Sequence, residues 1–94
     1  GNNVNIGADC IIMDSDAHAL KAEERLAGED IKKRIANPIY IGNNVFIGTR
    51  CIILKGVSIG DNSVIGAGAI VTKSIPANCI AAGNPCRIIK YFNE

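Results

Sequence analysis

The chain has 94 residues and a formal net charge of +1, with 48% hydrophobic and 20% charged residues. This length fits a single domain, and so small a net charge gives no reason to expect a nucleic acid or a strongly acidic partner. No run approaches the roughly 18 apolar residues that a membrane-spanning helix needs. The composition therefore predicts one soluble domain without a membrane span.

The first residues already follow a six-residue repeat. Ile6 and Ile12 are one period apart, Gly7 follows the first of them, and Cys10 and Asp16 stand four positions after them. The opening GNNVNIG falls in the middle of a repeat. We therefore expect residues 1–94 to be one domain that forms the C-terminal part of a longer chain, which makes the absence of a targeting segment uninformative.

The repeat is interrupted at about residues 14–34. The spacing from Ile12 to Ile35 is not a multiple of six, and the segment DSDAHALKAEERLAGEDIKKR is rich in charged and helix-favouring residues. It also contains His18, the only histidine of the chain. We interpret the segment as a loop inserted at one corner of the repeat, of a length that is usually functional or disordered.

From Ile35 onward the repeat of six is unbroken. Branched aliphatic residues occupy every sixth position: Ile35, Ile41, Ile47, Ile53, Ile59, Ile65 and Val71. A second series of small or aliphatic residues follows four positions after each: Ile39, Val45, Cys51, Val57, Ser63, Ala69 and Ile75. An amphipathic helix and a hairpin sheet have other periods. Hexapeptide repeats are typical of a parallel β-helix, whose short strands stack coil upon coil.

Three repeats would complete one triangular coil. The predicted ladders are Ile35, Ile53 and Val71 on one edge, Ile41 and Ile59 on a second, and Ile47 and Ile65 on the third. So few coils bury a thin core and leave flat faces exposed. We therefore expect the chain to associate with copies of itself through those faces.

The four cysteines fit a reduced protein better than a disulfide framework. We expect Cys10 and Cys51 to occupy interior positions on different coil faces, where a thiol behaves as a small hydrophobic group. Cys79 and Cys86 lack the partners that a structural zinc site requires. These features predict free thiols and a cytoplasmic location.

The run NPIYIGNNVFIGTRCIILKGVSIGDNSVIGAGAIVTKSIPANCIAAGNPCRIIK, residues 37–90, resembles the C-terminal half of the hexapeptide-repeat acyltransferases. It is most similar to the galactoside, maltose and polysaccharide O-acetyltransferase branch. The resemblance implies an all-β, left-handed parallel β-helix, to which we add one inserted loop and a short C-terminal helical tail. It also implies a homotrimer with active sites between subunits and acetyl-coenzyme A (acetyl-CoA) as co-substrate. The single histidine and the cysteine spacing give no reason to expect a metal.

The resemblance further implies a catalytic histidine, because a family histidine projects from the corner before the inserted loop and His18 stands at the matching place. Imidazole titrates in the range needed to remove a proton from an attacking hydroxyl. Asp14, Asp16 and His18 alternate, so they would share one side of an extended segment. We assign Asp16 as the carboxylate that orients the ring. A solvated loop histidine next to helix-capping aspartates is the alternative.

Donor binding falls on later residues by the same resemblance. Thr49 matches the contact to the thioester end of the donor, while Ala67, Thr72 and Lys73 match the lining of the pantetheine groove. Small side chains suit this role, because they let a narrow arm approach the backbone. The alternative for the neighbouring glycines, Gly66 and Gly68, is that they serve turns alone.

Arg87 and Lys90 match the family's contacts to the 3′-phosphate of the donor. Their spacing of three would place them on one face of a helical tail. A plain solvated surface is the alternative for this pair.

These expectations predict an acetyl-CoA-dependent O-acetyltransferase that acetylates a hydroxyl, or an amine, of a sugar. The charged loop over 19–36 leaves the identity of the acceptor open. A serine O-acetyltransferase and a noncatalytic trimerisation scaffold are the alternatives. A γ-class carbonic anhydrase is excluded, because its metal site needs three histidines and this chain has one.

Overall fold

The computed structural model describes residues 1–15, 21–26 and 36–92. Eight of the ten strands in these ranges have only two residues. The strands are β1 (Asn5–Ile6), β2 (Ile11–Ile12), β3 (Tyr40–Ile41), β4 (Phe46–Ile47), β5 (Ile52–Ile53), β6 (Ser58–Ile59), β7 (Val64–Ile65), β8 (Ile70–Val71), β9 (Cys79–Ala82) and β10 (Arg87–Tyr91). One short helix, α1 (Ala22–Leu26), lies between β2 and β3.

The strands form three sheets, ordered β1-β4-β7-β9-β10, β2-β5-β8 and β3-β6. Every pairing except that of β9 with β10 is parallel. From β1 to β9, consecutive strands along the chain therefore belong to different sheets, and the parallel pairs join strands that lie one coil apart. Three repeats of six make up one coil, as the sequence period predicts.

The core consists mainly of the two predicted series, and Cys79, Ala81 and Cys86 extend it beyond the repeat. Ile47 pairs with Ile65, and Ile41 with Ile59, so these two ladders are confirmed. Ile53 pairs with Val71 as predicted, but its neighbour on the other side is Ile12. The prediction of Ile35 at that place is wrong, because β2 already supplies this sheet with its strand in the first coil. Ile35 itself lies outside the described residues.

Asparagines form a hydrogen-bonded ladder along one corner. Each has a positive φ, which asparagine tolerates better than most residues: Asn3, Asn44, Asn62 and Asn78. Each side-chain amide donates to the oxygen of the next, at 3.3, 3.2 and 2.9 Å. The sequence separations are 41, 18 and 16. The first coil therefore contains the insertion, and the last coil is shorter by two residues than the ordinary one.

The inserted segment leaves and re-enters the coil through a short two-stranded stem. Ser15 and Ala36 form an antiparallel β-bridge. The amide of Asn37 donates to the carbonyl of Asp14 at 2.8 Å, and the amide of Gly56 donates to the carbonyl of Asn37 at 3.2 Å. The stem is thus fixed to the coil above it. Within the insertion, α1 has no buried residue.

The C-terminal tail is a strand and not a helix, so the prediction of a helical tail is wrong. β10 runs antiparallel to β9 along the edge of the five-stranded sheet. The free edge of β9 offers unpaired backbone donors and acceptors, which a neighbouring strand satisfies. The sequence of β10, RIIKY, also contains residues that favour strands.

All four cysteines are free thiols. Cys10 and Cys51 directly precede Ile11 and Ile52, which pair between β2 and β5. The two thiols therefore stack in one ladder, and the prediction that they lie on different coil faces is wrong. In the part of the chain that the structure describes, no helix has the length and apolarity to cross a membrane.

Candidate donor-binding site

The predicted catalytic residues, Asp16 and His18, lie outside the described residues. The chain leading to them is described as far as Ser15, whose bridge to Ala36 closes the stem of the insertion. The stem fixes the point from which the segment departs, at the corner that follows β2. The corner after β5, which contains Gly56, lies next to the stem through the hydrogen bond to Asn37.

Thr49 and Ala67 come together at another corner. Thr49 lies between β4 and β5, Ala67 lies one coil further between β7 and β8, and both are exposed. The amide of Gly68 donates to the carbonyl of Thr49 at 2.9 Å. A Cβ atom added to Gly48 would lie 2.6 Å from the Ala67 nitrogen. The two corners are therefore in close backbone contact, and small side chains leave this surface open to a narrow ligand.

Lys73 and Arg87 flank an open cleft of about 240 Å³ near the C-terminal end of the coils. The rest of its lining consists of Ser74, Ile75, Cys86 and Ile88. Ile75 and Cys86 are each 5% exposed and form an apolar floor. Two cations over an apolar floor suit a ligand that combines anionic and apolar groups. Thr72 is exposed and precedes Lys73, but it does not line the cleft.

The thiol of Cys86 contributes to this floor as a neutral group. Burial raises its pKa above the ordinary value of 9.0, and the nearby thiols of Cys51 and Cys79 raise it further, while the guanidinium of Arg87 lowers it. The net pKa shift is upward, so the thiol stays protonated at neutral pH. A protonated thiol is a poor nucleophile, which favours a packing role for Cys86.

Arg87 and Lys90 lie on β10, opposite Ala82 and Ile80 of β9. Residues directly opposite one another in an antiparallel pair project to the same side of the sheet. Both cations therefore lie on one face, although the helix that motivated this expectation is absent. Lys90 does not line the cleft. The structure thus brings Thr49 next to Ala67, and Lys73 next to Arg87, at two separate places.

Sequence reasoning missed the cleft because it depends on the shortened last coil. Ile75 belongs to the second predicted series, yet it forms a bridge with Ile59, which belongs to the first series of branched aliphatic residues. The hydroxyl of Ser74 accepts a hydrogen bond from the amide of Ser58 at 2.9 Å. The sequence does not reveal the shortened coil, because Val71 and Ile75 have the same spacing of four as the two aliphatic positions of the preceding repeats. Among the described residues, no cluster of three or more histidine, cysteine or acidic side chains could hold a metal ion.

Residues 38–73 match the family model described as the hexapeptide repeat of succinyl-transferase. Over 94 residues and the whole chain, the sequence is 49% identical to galactoside O-acetyltransferase of Escherichia coli strain K12, covering 44% of that protein. It is 40% identical to galactoside O-acetyltransferase of Lactococcus lactis, covering 43% of that protein. The chain belongs to the hexapeptide-repeat acyltransferases. The resemblance drawn from residues 37–90 is therefore confirmed.

Solved structures of this family share the fold. A galactoside acetyltransferase in complex with coenzyme A has a TM-score of 0.88 and 47% identity, covering 99% of this chain and 44% of that one. A maltose O-acetyltransferase from Clostridium difficile 630 has a TM-score of 0.75 and 42% identity, and the match covers 97% of this chain and 49% of that one. The chain spans less than half the length of the curated relatives named above.

Proposed function

We propose that the protein transfers an acetyl group from acetyl-CoA to the hydroxyl of a sugar. The observation that carries the proposal is the match to a galactoside acetyltransferase solved with coenzyme A, over 99% of this chain. The described surface supplies what such a donor requires. The corner of Thr49 and Ala67 leaves the backbone accessible to a narrow arm, and Lys73 and Arg87 place two cations beside an apolar cleft.

Each part of the donor has a proposed partner. Thr49 contacts the thioester end, and Ala67, Thr72 and Lys73 line the path of the pantetheine arm. Arg87 and Lys90 hold the 3′-phosphate, since cations pair with phosphate oxygens through short, charge-assisted hydrogen bonds. These residues follow one another along the chain, from the corner after β4 to β10.

His18 acts as the general base, and Asp16 orients its imidazole. The imidazole takes the proton of the acceptor hydroxyl as the hydroxyl oxygen forms a bond to the carbonyl carbon of the thioester. The carbon–sulfur bond then breaks, and the proton passes from the imidazolium to the departing thiolate of coenzyme A. A carboxylate next to the ring stabilises the imidazolium that forms in between.

A homotrimer of left-handed coils is the proposed assembly. The outer face of the β2-β5-β8 sheet carries a continuous isoleucine ladder, Ile11, Ile52 and Ile70. Ile11 is 49% exposed. The outer face of β3 and β6 carries Tyr40 and Ser58 instead. An uncovered aliphatic ladder favours contact with another copy of the chain. The free thiols support a cytoplasmic location.

The experiment that tests the catalytic assignment is His18→Ala in the full-length protein. Turnover should fall by roughly 10² to 10⁴ when a general base is removed. The dissociation constant for acetyl-CoA and the melting temperature should hardly change. Glu23→Ala, in α1 of the same inserted segment, is the matched control and should retain turnover. Equal turnover in His18→Ala and the wild type would remove His18 from the mechanism.

A further inference from the structure

The pairing of β9 with β10 contains an irregularity that affects where its cations lie. Arg87 is opposite Ala82 and Ile88 is opposite Ala81, whereas Lys90 is opposite Ile80 and Tyr91 is opposite Cys79. The register shifts between Ile88 and Lys90. The intervening residue, Ile89, therefore has no partner across the ladder, and this is the pattern of a β-bulge.

The two sides of β9 have different environments. Cys79 and Ala81 are fully buried and face the core, while Ile80 and Ala82 are only partly buried and face outward. Arg87 and Lys90 lie opposite the outward pair. In a regular ladder the residue opposite Ile80 would be Ile89, and Lys90 would then lie opposite Cys79, on the other side of β10 from Arg87. The bulge is what keeps the lysine on the outer side.

The bulge also brings the two cations close together. Ile80 and Ala82 are two residues apart on β9, so their partners lie about 7 Å apart along the strand direction. The side chains of arginine and lysine are long enough to converge on one anionic group across this distance. Arg87 additionally lines the cleft that contains Lys73. The pair thus extends the cationic side of the cleft along β10.

We propose that the bulge at Ile89 is a positioning element for the donor. It aligns Arg87 and Lys90 as a clamp for one phosphate group, the 3′-phosphate of acetyl-CoA. This inference rests on the proposed function. It adds that donor recognition depends on strand register, and that Ile89 acts through its backbone without touching the donor.

The test changes the register by single residues and measures binding. The dissociation constants of coenzyme A and 3′-dephospho-coenzyme A are determined by calorimetry on the full-length protein, and their ratio reports recognition of the 3′-phosphate. The ratio should fall roughly three- to tenfold in Lys90→Ala, as expected for an exposed charge-assisted contact. An alanine inserted between Ile89 and Lys90 should lower the ratio by the same factor, because it moves the lysine to the inner side.

Two further chains serve as controls. An alanine inserted after Tyr91 lengthens the tail equally but leaves the pair in register, so the wild-type ratio should persist. Deletion of Ile89 removes the bulge and leaves Arg87 and Lys90 two residues apart in a regular strand, still on one side. The ratio should persist there too. If the tail were helical, the deletion of Ile89 would lower the ratio of dissociation constants. If the tail had no fixed register, the wild-type ratio would persist after either insertion. Each of these results overturns the inference.

Point substitutions keep the inference testable if an altered chain does not fold. Tyr91→Lys combined with Lys90→Ala moves the cation to the side of β10 that lies opposite Cys79 and should leave the ratio at the Lys90→Ala value. Recovery to the wild-type ratio would overturn the assigned register. If neither Arg87→Ala nor Lys90→Ala changes the ratio, the donor contact proposed for these residues fails. If both substitutions lower the ratio but the insertion before Lys90 does not, the donor contact stands and only the positioning role of the bulge is refuted.

Discussion

Replacing Ile65 by alanine should destabilise the protein far more than the same change at the adjacent Val64. Ile65 is fully buried and stacks between Ile47 and Ala81 in neighbouring coils. The change removes three carbon groups, worth about 0.8 kcal/mol each in transfer free energy. A cavity adds to this loss because the strands on both sides are fixed by their ladders, and the total should reach about 3 to 5 kcal/mol. A small domain has only about 5 to 15 kcal/mol of stability.

Urea unfolding at fixed protein concentration is the appropriate assay, since association makes stability depend on concentration. Val64 precedes Ile65 on β7, points outward and is only partly buried. Val64→Ala should therefore lower the free energy of unfolding by no more than about 1 kcal/mol. Equal losses in the two variants would mean that the six-residue period does not define which side faces the core.

Two other predictions concern assembly and pH. Ile52→Glu places a charge in the outer isoleucine ladder and should turn the proposed trimer into monomers, as measured by light scattering. Ser58→Glu, on the adjoining face, is the control and should leave the mass unchanged. A trimer of unaltered mass in Ile52→Glu would exclude the isoleucine face as the interface. Burial raises the pKa of Cys51 and Cys86 above 9.0, so the folded state keeps protons that the unfolded state loses. Stability should therefore be retained below about pH 8 and fall above pH 9, and Cys51→Ser should flatten this decline in melting temperature. An equally steep decline in Cys51→Ser would contradict the assignment.

The stacked strands could be predicted because two side chains per repeat, four positions apart, must face the interior. This requirement produces the period of six, and it placed the ladders of Ile47 with Ile65 and of Ile41 with Ile59 correctly. The position of Ile35 could not be predicted in the same way. A period gives the spacing within a run but does not reveal where a chain rejoins the coil after an insertion, and here it does so in the sheet of β3.

The tail was mispredicted because its structure depends on the free edge of β9, which is held in place by pairing with β7 in the preceding coil. Arg87 and Lys90 have the spacing of helical neighbours, but β9 provides backbone partners that only a strand can use. The cleft of Lys73 and Arg87 is similarly non-local, since it needs both the shortened corner before Ile75 and the reversal of the chain into β10. The types of residue that bind an anion are visible in the sequence, but their grouping follows from the fold.

The most direct test of the central claim is acetyl transfer by the full-length protein, followed by mass spectrometry of the acceptor and by release of the coenzyme A thiol. With acetyl-CoA and a panel of galactosides and maltose, we expect one acetyl group on a sugar oxygen for each thiol released. Release should drop to the background of spontaneous hydrolysis when the sugar is omitted. Tight binding of acetyl-CoA without acetylation of any sugar, or thiol release that does not depend on the sugar, would contradict the account.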